Sequence, residues 1–70
     1  MNIAVIVPFY NEEINLVYFI KEWENFLTKN KFFYRKLFFF FIDDGSTDDS
    51  IRAINKNIRH LKFKIIKKKN

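Results

Sequence analysis

Two short stretches hold most of the side chains that could do chemistry. The first is Pro8-Phe9-Tyr10-Asn11-Glu12-Glu13 and the second is Asp43-Asp44-Gly45-Ser46-Thr47-Asp48-Asp49. In the first, the chain's only proline fixes the backbone, Tyr10 offers a stacking face and the carboxylates offer acceptors. In the second, two carboxylates meet the chain's only glycine, which takes φ > 0 without steric cost. Ser46, Thr47 or Asp48 can cap a helix that follows. The same residues have a plainer use. Asp43, Asp44 and Asp48 also satisfy backbone donors and complement a helix dipole, and Tyr10 can simply pack.

A group of proline, aromatic ring and carboxylates suits a nucleoside better than a phosphate. With a single glycine the chain holds neither G-x-G-x-x-G nor a P-loop. A carboxylate accepts and does not donate. If Asp44 faces a base, it therefore favours uracil or guanine, which present a ring N–H. Adenine and cytosine present ring nitrogen acceptors there. The chain has no Cys, so disulfides, thiolate metal sites and cysteine nucleophiles are excluded together. His60 stands alone, with no carboxylate at ligand spacing, and reads as a surface residue.

The elements that must position these residues follow from hydropathy. Ile3–Val7 is apolar and β-branched, and Phe38–Ile42 is a continuous apolar run. Both read as parallel strands buried on both faces, the first ended by Pro8. Asn11 is the expected N-cap of a helix from Ile14 to Thr28, with Glu12 and Glu13 at its positive end. Leu16, Phe19, Ile20, Trp23, Phe26 and Leu27 form its apolar face, Trp23 as a core residue. Lys21, Glu22, Glu24 and Asn25 fall mostly on the other side. After a loop at Lys29–Lys31, Phe32-Phe33-Tyr34 packs across the helix or leads into the next strand. A second helix is expected over 48–57, with Ile51, Ala53, Ile54 and Ile58 inward, then a third strand over Lys62–Ile66.

The order is β-α-β-α-β: an α/β unit with three parallel strands, half of a doubly wound sheet. Right-handed crossovers place strand two between strands one and three. The loops after Val7 and Ile42 then emerge side by side, bringing Pro8, Tyr10 and Glu12 close to Asp43 and Asp44. Seventy residues make one small domain at most, and a marginal one. The Phe run and an unpaired first-strand edge predict self-association or poor solubility.

The net charge is +5, and seven of the last fifteen residues are basic: Lys56, Arg59, Lys62, Lys64, Lys67, Lys68 and Lys69. Such a tail could touch phosphate or an anionic membrane, and its plainer reading is a solvated end. A small basic nucleic-acid-binding module is the competing function, and nucleic acid is the less expected partner, since the aromatics sit in runs that read as core. A non-catalytic assembly fragment, pairing through an open sheet edge, is a third. No signal peptide or membrane-spanning run is evident, which suits a cytoplasmic place, with the inner face of a membrane as an option.

Val7-Pro8-Phe9-Tyr10-Asn11-Glu12-Glu13, followed by Ile42-Asp43-Asp44-Gly45-Ser46-Thr47-Asp48, resembles the family 2 glycosyltransferases of the GT-A fold. The likeness covers nearly the whole chain but only the start of that family's nucleotide-sugar-binding domain. It is similar in particular to polyprenyl-phosphate members, the dolichol- and undecaprenyl-phosphate glycosyltransferases. The resemblance implies a Rossmann-like domain and a UDP- or GDP-sugar donor. It also implies a lipid-phosphate or glycan acceptor and a divalent metal, Mg or Mn. Pro8, Tyr10 and Glu12 would line the nucleoside pocket, and Ile42 and Asp44 would hold the base. Asp43, Gly45 and Ser46 would brace the loop. The family's metal-binding D-x-D motif and its catalytic base have no counterpart here. Residues 1–70 are therefore expected to be a partial domain, inactive alone, whose missing carboxyl-terminal half is a candidate partner. Asp49 stands where glycine or asparagine is common, which affects a turn and not the chemistry.

Overall fold

The computed structural model describes residues 2–68. Strand β1 (Ile3–Phe9) leads through helix α1 (Glu13–Lys29) and a 3-10 turn (Lys31–Phe33) to strand β2 (Leu37–Asp43). Helix α2 (Ser50–Asn57) and strand β3 (Lys62–Lys67) complete the β-α-β-α-β order. The sheet runs β1-β2-β3 and is parallel throughout, with Val7 beside Phe41 and Phe41 beside Ile65. This is the architecture expected of the amino-terminal half of a GT-A, Rossmann-like domain. No helix among the described residues is long and apolar enough to cross a membrane.

The strands are not buried on both faces. Along β2, Leu37, Phe39, Phe41 and Asp43 are buried, while Phe38 between them is 37% exposed. Along β1, Ile3, Val5 and Val7 are half-buried and Ala4, Ile6 and Pro8 are exposed. The reason is topological. Two crossovers of the usual right hand, stepping in one direction across the sheet, leave both helices on one face. A continuous apolar run reports hydrophobicity, not the number of covered faces.

On the covered face, Leu16, Ile20 and Leu27 of α1 and Ile54 of α2 meet Phe39 and Phe41, both fully buried. Phe19 presents its ring edge-on to both phenylalanines at 6.4 Å, and Trp23 does so to Phe39 at 5.0 Å. Such edge-to-face pairs add ~0.5–1.5 kcal/mol to burial. Phe33 packs on Phe26 at 5.8 Å, which accounts for the apolar segment before β2. Phe32 stays exposed, with the Lys36 ammonium 5.0 Å from its ring centre.

Proline does not end β1, which runs on to Phe9. β1 is an outer strand, and Ile3 N–H donates inward to Lys36 O at 2.6 Å. Odd residues thus face β2, and the missing N–H of Pro8 falls on the unpaired edge, where it costs no ladder bond.

At the amino end of the sheet, Glu24 reaches under the segment before β3. Its Oε2 accepts the backbone N–H groups of Arg59 (2.7 Å), His60 (2.8 Å) and Leu61 (3.2 Å), and its Oε1 meets His60 Nδ1 at 3.1 Å. His60 therefore has a carboxylate partner after all, brought from helix α1 by the fold, and Glu24 is not on the solvent side. Burial pushes the Glu24 carboxyl up, but the donors of His60, Arg59 and Leu61 outweigh it and hold the group below its ordinary value.

Candidate functional site

The loops after β1 and β2 leave the same end of the sheet. Pro8 pairs with Ile42 and Phe9 with Asp43, and the Asp44 N–H donates to Phe9 O at 2.9 Å. The β2 loop turns at Gly45, with φ 92°, the left-handed region that glycine enters freely. Asp43 is buried, and its Oδ1 accepts the Ser46 N–H at 2.7 Å. The strand end and the turn are thus joined by one short bond. Lys68 N–H donates to Asp43 O at 2.9 Å, tying in the chain after β3.

Asn11 is not an N-cap. Helix α1 begins at Glu13 with Glu12 in the cap position and no side-chain cap bond. Asn11 instead takes φ 49°, a conformation that Asn tolerates better than most residues. There its Oδ1 accepts the N–H groups of Thr47 (2.8 Å) and Asp48 (3.3 Å). Its Nδ2 donates to Thr47 Oγ1 at 3.3 Å, and its own N–H donates to Ser46 Oγ at 2.9 Å. Glu12 N–H donates to Ser50 Oγ, and Asp49 N–H to Glu13 Oε1, both at 3.2 Å. One loop is therefore stapled to the other from Asn11 to Glu13.

Helix α2 begins two residues later than expected, because Asp48 forms an Asx-type turn ahead of it. Asp48 Oδ1 accepts both the Ser50 N–H and the Ser50 hydroxyl. The Ser50 hydroxyl, with the Ser50 N–H, holds the Asp48 carboxyl below its ordinary value. Ser50 is fully buried, and its hydroxyl both accepts from Glu12 and donates to Asp48.

The predicted site residues divide into two groups. Pro8 and Ile42 are neighbours across the ladder, and Asp44 and Tyr10 are exposed at the loop ends beside them. Glu12 Oε2 accepts Asn15 Nδ2 at 2.7 Å, and Glu12 lines a groove along α1 with Pro8, Phe9, Leu16 and Phe19. Lys68 joins the first group, its Nζ 3.3 Å from Asp44 Oδ1. This pair is solvent-exposed on both sides and so is worth ~0–1 kcal/mol, readily exchanged for a ligand. Lys68, Asn11 and Ser50 carry geometry that the sequence alone did not assign to them. Only the register reveals Lys68: Lys67 pairs with Asp43, so the next residue on each strand meets its counterpart. Lys69, the last of the basic tail, lies outside the described residues.

A divalent cation does not fit here. No group of three Asp, Glu or His able to hold one occurs among the described residues. Three carboxylates at these loops are engaged singly: Asp43 with Ser46, Asp44 with Lys68 and Asp48 with Ser50.

No curated protein and no solved structure matches the chain. A model of the family described as "Glycosyl transferase family 2" matches residues 4–70, nearly all of the sequence and both stapled loops. The chain belongs to glycosyl transferase family 2.

Proposed function

We propose that this chain binds the nucleotide of a UDP- or GDP-sugar, residues 1–70 being the donor-binding half of a domain that transfers the sugar to a lipid-phosphate or glycan acceptor. Family membership implies a nucleotide-sugar donor and an acceptor, and such enzymes generally use a divalent metal. The reading here is of nucleotide binding at the loop ends. A polyprenyl-phosphate acceptor would place the work at the cytoplasmic face of a membrane.

One observation carries the reading: the exposed Asp44 carboxylate beside the Lys68 ammonium at the carboxyl end of the central strand. Uracil presents a ring N–H flanked by carbonyls, and guanine a ring N–H next to one. Asp44 accepts from that N–H, and Lys68 donates to the adjacent carbonyl oxygen. Adenine and cytosine offer a ring acceptor to Asp44 and have no such pair. Pro8 and Ile42 supply apolar surface beside the base and Tyr10 a ring, while Asp43, Gly45 and Ser46 hold the loop in place. Titration of the isotope-labelled chain with UDP, GDP, ADP and CDP tests this by NMR. UDP and GDP should shift Tyr10, Asp44 and Lys68 and bind at least about tenfold more tightly than ADP and CDP, the factor worth ~1.4 kcal/mol. Equal binding of all four would overturn it.

A further inference from the structure

Charge divides along the strands of this sheet. Six of the eight carboxylates lie at the carboxyl end: Glu12, Glu13, Asp43, Asp44, Asp48 and Asp49. The amino end holds cations. Lys29 closes α1, Lys31, Arg35 and Lys36 lead into β2, Arg59 precedes β3 and Lys62 opens it. The fold gathers these segments: Lys36 O accepts the Ile3 N–H at 2.6 Å, and the Tyr34 ring meets the His60 ring at 5.7 Å. The ion pairs among the described residues are Glu24–His60 and Asp44–Lys68, so none of the six cations has a carboxylate partner there. Arg35, Lys36 and Lys62 line one hollow of about 260 Å³ with Asn2 and Leu37, and no carboxylate enters its wall. Beside them stands Phe32, which is 71% exposed, with the Lys36 ammonium 5.0 Å from its ring centre. Phe33 holds this turn on Phe26 of α1, which leaves Phe32 pointing away from the core.

An apolar ring set among unpaired cations needs an occupant that is anionic at its surface and apolar beneath. A lipid bilayer with acidic headgroups is both. Lysine and arginine stay at the level of the phosphates on their long stems, while an aromatic ring settles below them. A single-stranded nucleic acid fits less well, because it stacks successive bases on open aromatic faces. Here one ring alone is exposed and the Lys36 ammonium lies over it, while Phe33 and Tyr34 are half-buried. We propose that the amino end of the sheet is a docking surface for an anionic membrane, with Phe32 inserted and Lys31, Arg35 and Lys36 on the lipid phosphates. Stable attachment to a bilayer takes two signals, and this surface carries both a basic patch and an apolar anchor. The inference is independent of the nucleotide reading, since it uses the opposite end of the strands. A chain seated this way turns the loops of Asp44 and Tyr10 away from the lipid.

Sedimentation of the full chain with lipid vesicles tests it. Phosphatidylglycerol vesicles should carry the chain down and phosphatidylcholine vesicles should not. Phe32→Ser and the double variant K31E/R35E should each weaken binding at least about tenfold, a difference of ~1.4 kcal/mol. The double variant R52E/K67E makes the same change of net charge, with Arg52 in the first turns of α2 and Lys67 at the end of β3. It should keep most of the binding. All these substitutions change exposed side chains, and retained NMR signals from Phe39 and Phe41 show that each variant folds. Failure to bind phosphatidylglycerol, or equal binding to both lipids, would overturn the proposal. So would equal losses for K31E/R35E and R52E/K67E, which would reduce the effect to net charge, or unchanged binding of Phe32→Ser. Tighter binding to polyuridylic acid than to the vesicles would assign the surface to nucleic acid and overturn it equally.

Discussion

The two ends of the sheet are held by the same device made from different groups. At the amino end Glu24, on helix α1, gathers the backbone N–H groups of Arg59, His60 and Leu61. At the carboxyl end Asn11, in the loop before α1, gathers those of Thr47 and Asp48. In both, one side-chain oxygen replaces the backbone partners that a loop lacks. The surroundings select the chemistry. Glu24 lies among Arg59, His60 and three backbone donors, where a charge is stabilised. Asn11 lies among Glu13, Asp48 and Asp49, where a second negative charge would be repelled, so a neutral amide does the work. The amino-end staple is charged, whereas the carboxyl-end staple is neutral and adds no further charge beside Glu13 and Asp48.

The largest effect should come from removing the charged staple. Glu24→Ala leaves donors without a partner, one of them on buried Leu61, and should cost ~2–4 kcal/mol in urea unfolding, the scale of unsatisfied donors and charged hydrogen bonds. Glu24→Gln keeps an acceptor and should lose about half as much. A Glu24→Ala chain within ~0.5 kcal/mol of wild type, the range of ordinary surface changes, would break the comparison.

Acid sharpens it. The folded Glu24 carboxyl lies below its unfolded value, so between the two values the unfolded chain binds more protons. Its stabilisation is complete above the ordinary carboxyl range and is lost as pH falls through the lower, folded value. Asp48 acts in the same direction. Glu24→Gln should flatten the acid limb of a stability–pH curve and Asn11→Ala should leave its slope unchanged. Similar slopes for wild type and Glu24→Gln would contradict the assignment.

Asn11→Ala should cost less, ~1–2 kcal/mol, because its bonds are exposed and neutral. Asn11→Gly separates backbone from side chain, since glycine accepts φ 49° while losing the Oδ1 and Nδ2 bonds. It should recover only part of the loss, as amide-exchange protection at Thr47 and Asp48 would show. The smallest effect belongs to Asp49→Asn. That exposed side chain has no hydrogen bond in the staple, and the change should stay within ~0.5 kcal/mol.

Much of this fold is legible in the sequence. The β-branched Ile3–Val7 run, the helical spacing from Leu16 to Leu27 and the Phe run each have a local period or composition that names an element. The placement of Asp44 at a strand end follows from the break between Ile42 and Gly45. The open face follows from the right-handed crossovers and the β1-β2-β3 order, but the continuous apolar runs read as strands covered on both sides. The roles of Asn11, Glu24 and Lys68 were hidden for a different reason. Their partners lie more than twenty residues away, at Thr47, His60 and Asp44, and local propensity carries no information about such pairs. Asn before a helix reads as a cap by frequency alone, whereas here its left-handed backbone turns it toward the other loop.

In the proposed function, Asp44, exposed at the end of the central strand and paired with Lys68, accepts from a base that presents a ring N–H. UDP affinity of Asp44→Asn against Asp49→Asn tests it most directly, measured by NMR titration with folding checked on Phe39 and Phe41. Asn at position 44 keeps the shape and one acceptor but loses the charge, and should weaken UDP binding by ~1–3 kcal/mol. Asp49→Asn should leave it unchanged. If the two variants bind UDP alike, Asp44 does not read the base and the nucleotide site is not where this account places it.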